Sequence, residues 1–145
     1  MSVTVRGLAE ADRPAWKALW QGYMDFYGES FPDAVTERCW ARLMDPLIDM
    51  HAIGAESGSE LVGICHYLFH PATWTIGPYC YLEDLYVDPA VRGRGAGRAL
   101  IEAVYKAADA RAAGQVYWVT YSDNEVARRL YDKLATPTPF VQYRR

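Results

Sequence analysis

Seven consecutive residues, Arg92-Gly93-Arg94-Gly95-Ala96-Gly97-Arg98, carry the most legible chemistry in this chain. Three glycines at alternate positions lead into a helical pattern, and three arginines stand among them. A glycine-rich turn entering a helix presents bare N–H groups and the positive end of the helix dipole, and glycine lets an anion reach the backbone. The preceding residues, Tyr81-Leu82-Glu83-Asp84-Leu85-Tyr86-Val87, read as a strand that Asp88-Pro89 stops. The stretch therefore reads as the seat of a pyrophosphate-bearing ligand. Two common phosphate patterns do not fit. A P-loop needs Lys-Ser or Lys-Thr after its last glycine, and Arg98-Ala99 stands there instead. The dinucleotide fingerprint needs Gly-x-Gly-x-x-Gly, whereas the spacing here is Gly-x-Gly-x-Gly.

A third pattern fits. Preceded by Val87-Asp88-Pro89, the run Arg92 to Gly97 closely resembles the acetyl-coenzyme A loop of the GNAT superfamily of N-acetyltransferases, Arg/Gln-x-x-Gly-x-Gly/Ala. Downstream, Asn124-Glu125-Val126-Ala127-Arg128-Arg129-Leu130-Tyr131 matches that family's Asn-x-x-Ala-x-x-x-Tyr arrangement. The resemblance is specific over residues 79–134 and rests on element order before that. The strand Leu82-Glu83-Asp84-Leu85-Tyr86 is similar to the branch containing polyamine and histone/protein acetyltransferases. The resemblance implies acetyl-coenzyme A as co-substrate, no metal, and direct attack by a primary amine in a ternary complex. It also implies a coenzyme site made by the strand edge at Leu85, Tyr86 and Val87, the loop from Arg92 to Arg98, Asn124 against the pantetheine arm, and Tyr131 near the sulfur. A non-catalytic acyl-coenzyme A-binding module is the alternative; it would need the loop but neither Glu83 nor Tyr131.

Acetyl transfer to an amine meets one physical obstacle. An alkylammonium with a pKa near ~10.4 must lose its proton before it can attack, which costs about 4–5 kcal/mol at neutral pH. The site then needs a proton acceptor and a donor for the departing thiolate. The resemblance assigns the acceptor to Glu83 and the donor to Tyr131. Tyr131 lies seven residues after Asn124, two helical turns on, so the two face nearly the same way. Glu83 and Asp84 are neighbours on a strand and should face opposite ways, so at most one reaches the cleft unless a bulge intervenes. Tyr23, Tyr27, Glu83 and Asp84 are the candidate acceptor-binding residues, because aromatic faces and carboxylates both attract cations. Such an acceptor would be a polyamine, an amino-sugar antibiotic or a lysine side chain. Cys65 and Cys80 could in principle be acylated, but neither has an evident histidine partner. His51, His66 and His70 read as structural or surface residues rather than metal ligands.

The charge distribution is consistent with two ligands of opposite sign. Residues 1–91 carry a net −8 and residues 92–145 a net +5, so the basic half begins at the glycine loop. A net charge of −3 argues against nucleic acid as the main partner. At 145 residues the chain is most simply one domain, spanning 1–145. It has no apolar run long enough to span a bilayer and no basic-then-apolar N-terminal signal pattern, and its three cysteines lack metal spacing. Those features place it in the cytoplasm, away from membranes, with free thiols.

These residues need elements to position them. Val3 to Val5 suggest a first strand. Residues 9–27 have helical spacing, with Trp16, Leu19, Trp20, Tyr23, Met24 and Tyr27 on one stripe. Gly28 to Phe31 read as a loop, and 33–45 as a second helix. His51 to Glu56 and Glu60 to His70 form a hairpin about Ser57-Gly58-Ser59. After a loop from Pro71 to Pro78, strand 79–87 leads to helix 97–113, with Gly114 as its C-cap. Val116 to Tyr121 read as a strand. Ser122 is the expected N-cap of a last helix ending near Leu134, with Glu125 completing a capping box. Phe140 to Tyr143 read as a short final strand. The order predicts an α/β (α+β) mixed sheet with helices on both faces, and the resemblance adds a sheet splayed open at its centre. The family's usual Tyr-x-x-x-Gly-Phe is replaced here by Tyr131-Asp132-Lys133-Leu134-Ala135-Thr136. An unpaired final strand invites pairing with a second subunit, so a homodimer is expected.

Overall fold

The computed structural model describes residues 2–145. Strand β1 spans Val3–Gly7, β2 Met50–Ser57, β3 Glu60–His70, β4 Tyr79–Val87 and β5 Gln115–Tyr117. Helix α1 spans Arg13–Phe26, α2 Asp33–Met44, α3 Ala96–Ala110 and α4 Glu125–Leu134, with short 3-10 turns at Glu10–Asp12 and Pro89–Val91. The strands lie in chain order, β1-β2-β3-β4-β5. The first four pair antiparallel, and β4 pairs with β5 in parallel. The expected mixed sheet is present.

Each face of the sheet carries its own core. On one face Trp16, Leu19, Trp20 and Met24 of α1 and Trp40 and Leu43 of α2 pack on Ala52 and Ile64. On the other, Leu100, Ile101, Val104 and Ala108 of α3 pack on Ala55, Cys65, Cys80 and Leu82, with Leu130 and Tyr131 of α4 against them. Leu100, Ile101 and Val104 are fully buried, and each such side chain contributes about 1.5–3 kcal/mol by leaving water.

Two irregularities set the faces. Between β3 and β4, His66 pairs with Asp84 while Tyr67 pairs with Leu82, so Glu83 is an extra, bulged residue. Between β2 and β3, Ala55 pairs with Gly63 and Glu56 with Leu61, which leaves Val62 as a second bulge. Each bulge reverses the inward–outward alternation beyond it. The ladder between β4 and β5 runs only from Tyr79 to Tyr81 against Gln115 to Tyr117. Beyond Tyr81 the two strands part, giving the central splay.

Several local expectations are corrected. The fifth strand ends at Tyr117 rather than Tyr121, because β4 diverges and residues 118–121 have no ladder to join. No strand forms at Phe140 to Tyr143. The sheet offers that segment no partner, Pro137 and Pro139 supply no N–H, and Phe140, Val141 and Tyr143 stay exposed. The cap of α4 is Asn124, not Ser122: Asn124 Oδ1 accepts from Ala127 N at 3.4 Å. The left-handed residue that closes α3 is Ala112 at φ 52°, not Gly114. Ala113 N bonds Ala108 O and Ala112 N bonds Asp109 O, both at 3.0 Å, which is a Schellman closure. Gly114 answers a different need, since a Cβ there would stand 2.5 Å from Thr75.

A left-handed alanine carries a strain of about 1 kcal/mol that glycine does not. Ala112→Gly is therefore expected to stabilise the protein by about 1 kcal/mol, raising Tm by about 3 °C in a thermal melt. An unchanged or lowered Tm would show that Ala112 is not strained.

Candidate active site

The parting of β4 from β5 creates the site. β4 is paired to β3 from His70 down to Gly63, while its other edge has no strand partner past Tyr81 among the described residues. Unpaired strand backbone can accept an extended amide ligand as if it were an added strand. Leu85, Tyr86 and Val87 line this opening, a cleft of ≈ 600 Å³ that α3 and α4 close on the far side.

The glycine loop forms its anion end. Gly93 and Gly95 both sit at φ 83°, which disfavours side chains, and nothing stands within 4 Å of where a Cβ would be. Gly95 is the residue from which α3 springs, so the N–H groups of the first helical turn lack helical partners and belong to residues of the cleft lining. Arg92, Ala96, Gly97 and Arg98 complete the lining, and Arg94 is not part of it. Arg98 is held by Glu102 at 2.8 Å. The far wall supplies Arg129 and Lys133, which the sequence reading missed although they stand one turn apart on α4. Neither forms a salt bridge among the described residues, nor does Arg92. An open glycine cradle ringed by uncommitted cations fits a ligand with several phosphates, as the expected acetyl-coenzyme A has.

On α4, Asn124, Ala127, Leu130 and Tyr131 line the cleft. Asn124 is already engaged: besides capping the helix, its Nδ2 donates to Thr120 Oγ1 at 3.2 Å. Tyr131 is half-buried, and burial pushes its hydroxyl up to about 12, with Tyr27 and Cys65 adding smaller effects.

The opposite end of the cleft is aromatic, with two carboxylates near it. Tyr23 and Phe26 of α1 and Tyr27 at its C-terminal cap line it. Tyr23 stacks on Trp20 at 5.4 Å, Tyr27 lies 4.9 Å from Tyr23, and Tyr121 reaches Tyr27 at 5.5 Å. Glu83 and Asp84 lie outside the cleft lining, yet both act on Tyr23. Burial, followed by the nearby Asp84 carboxylate and then Tyr27 and Glu83, holds the Tyr23 hydroxyl far above the usual phenol range. Burial also raises Tyr27, with Tyr121 and Asp84 contributing. The bulge explains why both carboxylates come to this side. With Glu83 inserted, Asp84 pairs with His66 on the α1 face instead of sharing the α3 face with Leu82. Glu83 is exposed to solvent, yet partial desolvation and then the Asp84 charge raise its carboxyl from its ordinary value.

Two further residues join this group: His66, which the sequence suggests only as a structural or surface residue, and Trp16, which it places on the apolar stripe of α1. His66 is 2 % exposed, with Nδ1 3.0 Å from Asp84 Oδ2 and Nε2 2.9 Å from the Trp16 indole nitrogen. A polar residue inside the apolar run Leu61 to Phe69 was the available signal.

Comparison with known proteins follows the same lines. The model of the acetyltransferase (GNAT) family matches residues 16–135. The chain is 37% identical to the D-amino-acid N-acetyltransferase HPA3 of Saccharomyces cerevisiae, over 99% of this chain and 90% of that protein. It is 39% identical to the thialysine N-epsilon-acetyltransferase of Sus scrofa, over 57% of this chain and 48% of that one. Among solved structures, AAC(6')-Iy in complex with the bisubstrate analogue CoA-S-monomethyl-acetylneamine superposes with a TM-score of 0.86, over 100% of this chain and 98% of that chain. Their identity is 17%, so this is a likeness of fold.

The Glu83 shift has a checkable sign. A negative neighbour disfavours a second negative charge, so removing it must lower the Glu83 pKa. Carbon-detected NMR titration should place the Glu83 midpoint above 4.5, and Asp84→Asn should move it down. A midpoint that ignores the substitution would separate the two carboxylates.

Proposed function

Because this chain belongs to the acetyltransferase (GNAT) family and is an N-acetyltransferase, we propose that it carries the acetyl group of acetyl-coenzyme A to the primary amine of a small cationic acceptor, by direct attack in a ternary complex. The observation that carries this reading is one continuous cleft that joins a cationic glycine cradle to an aromatic wall, whose Tyr23 feels the charges of Asp84 and Glu83. HPA3 is named for D-amino acids and the porcine relative for thialysine, which supports a small amine as acceptor.

Acetyl-coenzyme A supplies the thioester acetyl group, and its sulfur departs as a thiolate that takes up the second proton, shed by the nitrogen as it becomes an amide. The Leu85–Val87 strand edge aligns its arm, while Gly93, Gly95 and the first turn of α3 hold its phosphates. Tyr23 and Tyr27 offer ring faces to the acceptor ammonium, and Asp84 gives it a counter-charge. Glu83 takes the proton that the amine must lose; its raised pKa brings it nearer the amine and eases that transfer. Tyr131 meets the sulfur. With its hydroxyl pushed up to about 12 it stays protonated at neutral pH. A thiolate is a weaker base than such a phenolate, so Tyr131 stabilises the leaving sulfur by a hydrogen bond and does not give up its proton outright.

Direct attack is supported by the cysteines. Cys65 and Cys80 are fully buried, and burial raises both thiols, Cys80 to about 11, leaving almost no nucleophilic thiolate. All three cysteines are free, which supports a reducing cytoplasmic setting. A homodimer belongs to the reading as well, supported by the exposed Phe140, Val141 and Tyr143 beyond α4.

Thiol release from acetyl-coenzyme A, measured against polyamines, D- and L-amino acids, lysine peptides and aminoglycosides, tests the assignment. Amine-dependent release is expected, with Tyr131→Phe about 10²-fold slower in kcat and acetyl-coenzyme A affinity retained. An unchanged rate in Tyr131→Phe would remove Tyr131 from its role. Coenzyme binding with no release on any amine would overturn the proposed acceptor class.

A further inference from the structure

One buried ionisable group has no part in the chemistry above: the imidazole of His66, in the middle of β3 beneath α1. Both of its ring nitrogens are committed. The Trp16 indole nitrogen can only donate, and it lies 2.9 Å from Nε2, so Nε2 must be the bare acceptor. The ring proton is therefore on Nδ1, which donates to Asp84 Oδ2 at 3.0 Å. The indole cannot turn away. Trp16 is 0 % exposed and packed between Trp20, at 5.9 Å, and Trp40, at 4.8 Å. At the other end of this line, Asp84 keeps 17% of its side-chain surface, and its charge acts on the Tyr23 hydroxyl.

We propose that Trp16 and His66 are positioning residues for the acceptor: the indole locks one neutral histidine tautomer, whose N–H aims the Asp84 carboxylate at the substrate ammonium. This rests on the reading that Asp84 meets the acceptor. The lock does two things. The Nδ1–H occupies one lone pair of a carboxylate that would otherwise rotate, leaving the rest for the ammonium. The Trp16 donor also excludes a proton at Nε2. A cationic His66 would pair with Asp84 and cancel the charge that attracts the amine. The ionisable groups facing this pair are Glu83 on β4, Tyr23 on α1 with Tyr27 at its C-terminal cap, and Cys39 on α2 with Arg42 beside it, while Ala52 stands opposite on β2. The alignment depends on the Glu83 bulge, which brings Asp84 opposite His66.

Long-range proton–nitrogen NMR on the full-length protein reads the tautomer directly. The wild type should show His66 with Nδ1–H and a bare Nε2, and a signal from Nε2–H would overturn the proposal. Trp16→Phe keeps an aromatic ring but removes the donor. It should release the single tautomer and raise the amine KM about 10-fold at unchanged acetyl-coenzyme A KM. His66→Leu should do the same to the amine KM, whereas His66→Asn, whose amide can replace the Nδ1–H, should restore most of it. With Asp84→Asn already present, His66→Leu should cost nothing more, because the two act through one contact. Equal loss in His66→Leu and His66→Asn, or loss that adds to that of Asp84→Asn, would overturn the positioning role. Should His66→Leu fail to fold, Trp16→Phe and the tautomer signal still decide. An amine KM unmoved by Asp84→Asn would instead sink the acceptor role of Asp84 itself, and this inference with it.

Discussion

The architecture depends on β4 keeping one complete ladder and losing the other after Tyr81. Its pairing with β3 holds the strand rigid, while the parting from β5 leaves a row of backbone groups facing a cleft. Buried backbone that lacks a partner is costly, so an open strand edge is tolerable only where water or a ligand can reach it. The cleft therefore follows from the hydrogen-bond ladder of the sheet. α3 begins at the mouth of that cleft because its strand ends there, and this directs the helix N-terminus at the opening.

Charge is arranged along the same axis. The cations Arg92, Arg129 and Lys133 surround the glycine end, and the acidic pair Glu83 and Asp84 lies toward the α1 end. This arrangement suits the proposed pair of ligands of opposite charge. Burial acts differently on the groups between. It keeps Tyr131 protonated and Cys65 inert, while partial desolvation and the Asp84 charge together make Glu83 a stronger base than a free glutamate.

The Glu83 bulge links the two halves of the site. Without it, strand alternation would put Asp84 on the face of Leu82, inside the apolar packing of α3, where a carboxylate has no partner. One inserted residue moves Asp84 onto the α1 face, where Tyr23 and the Trp16–His66 pair await it. The bulge and the buried histidine are thus mutually dependent: each gives the other its hydrogen-bond partner.

By itself the sequence determined the elements and the cofactor end. Alternation, helical spacing and the glycine loop are local signals, each written within about twenty residues, and they located α1 to α4, β2 to β4 and the loop from Arg92 to Arg98. The pair Asn124 and Tyr131 was legible for the same reason, since two helical turns fix their relative direction. What only the tertiary structure decided involves residues far apart in the chain. Whether Glu83 and Asp84 share a side depended on the register of β4 against β3, which no local pattern encodes. Residues 118–121 and 140–143 have the composition of strands, yet a strand also needs a neighbour, and the splayed sheet withholds one. Ala112 took the left-handed cap because the chain had to turn there, whatever residue stood at that position. Trp16 and His66, fifty residues apart, read as a helix-stripe residue and a structural or surface histidine until folding set one nitrogen against the other.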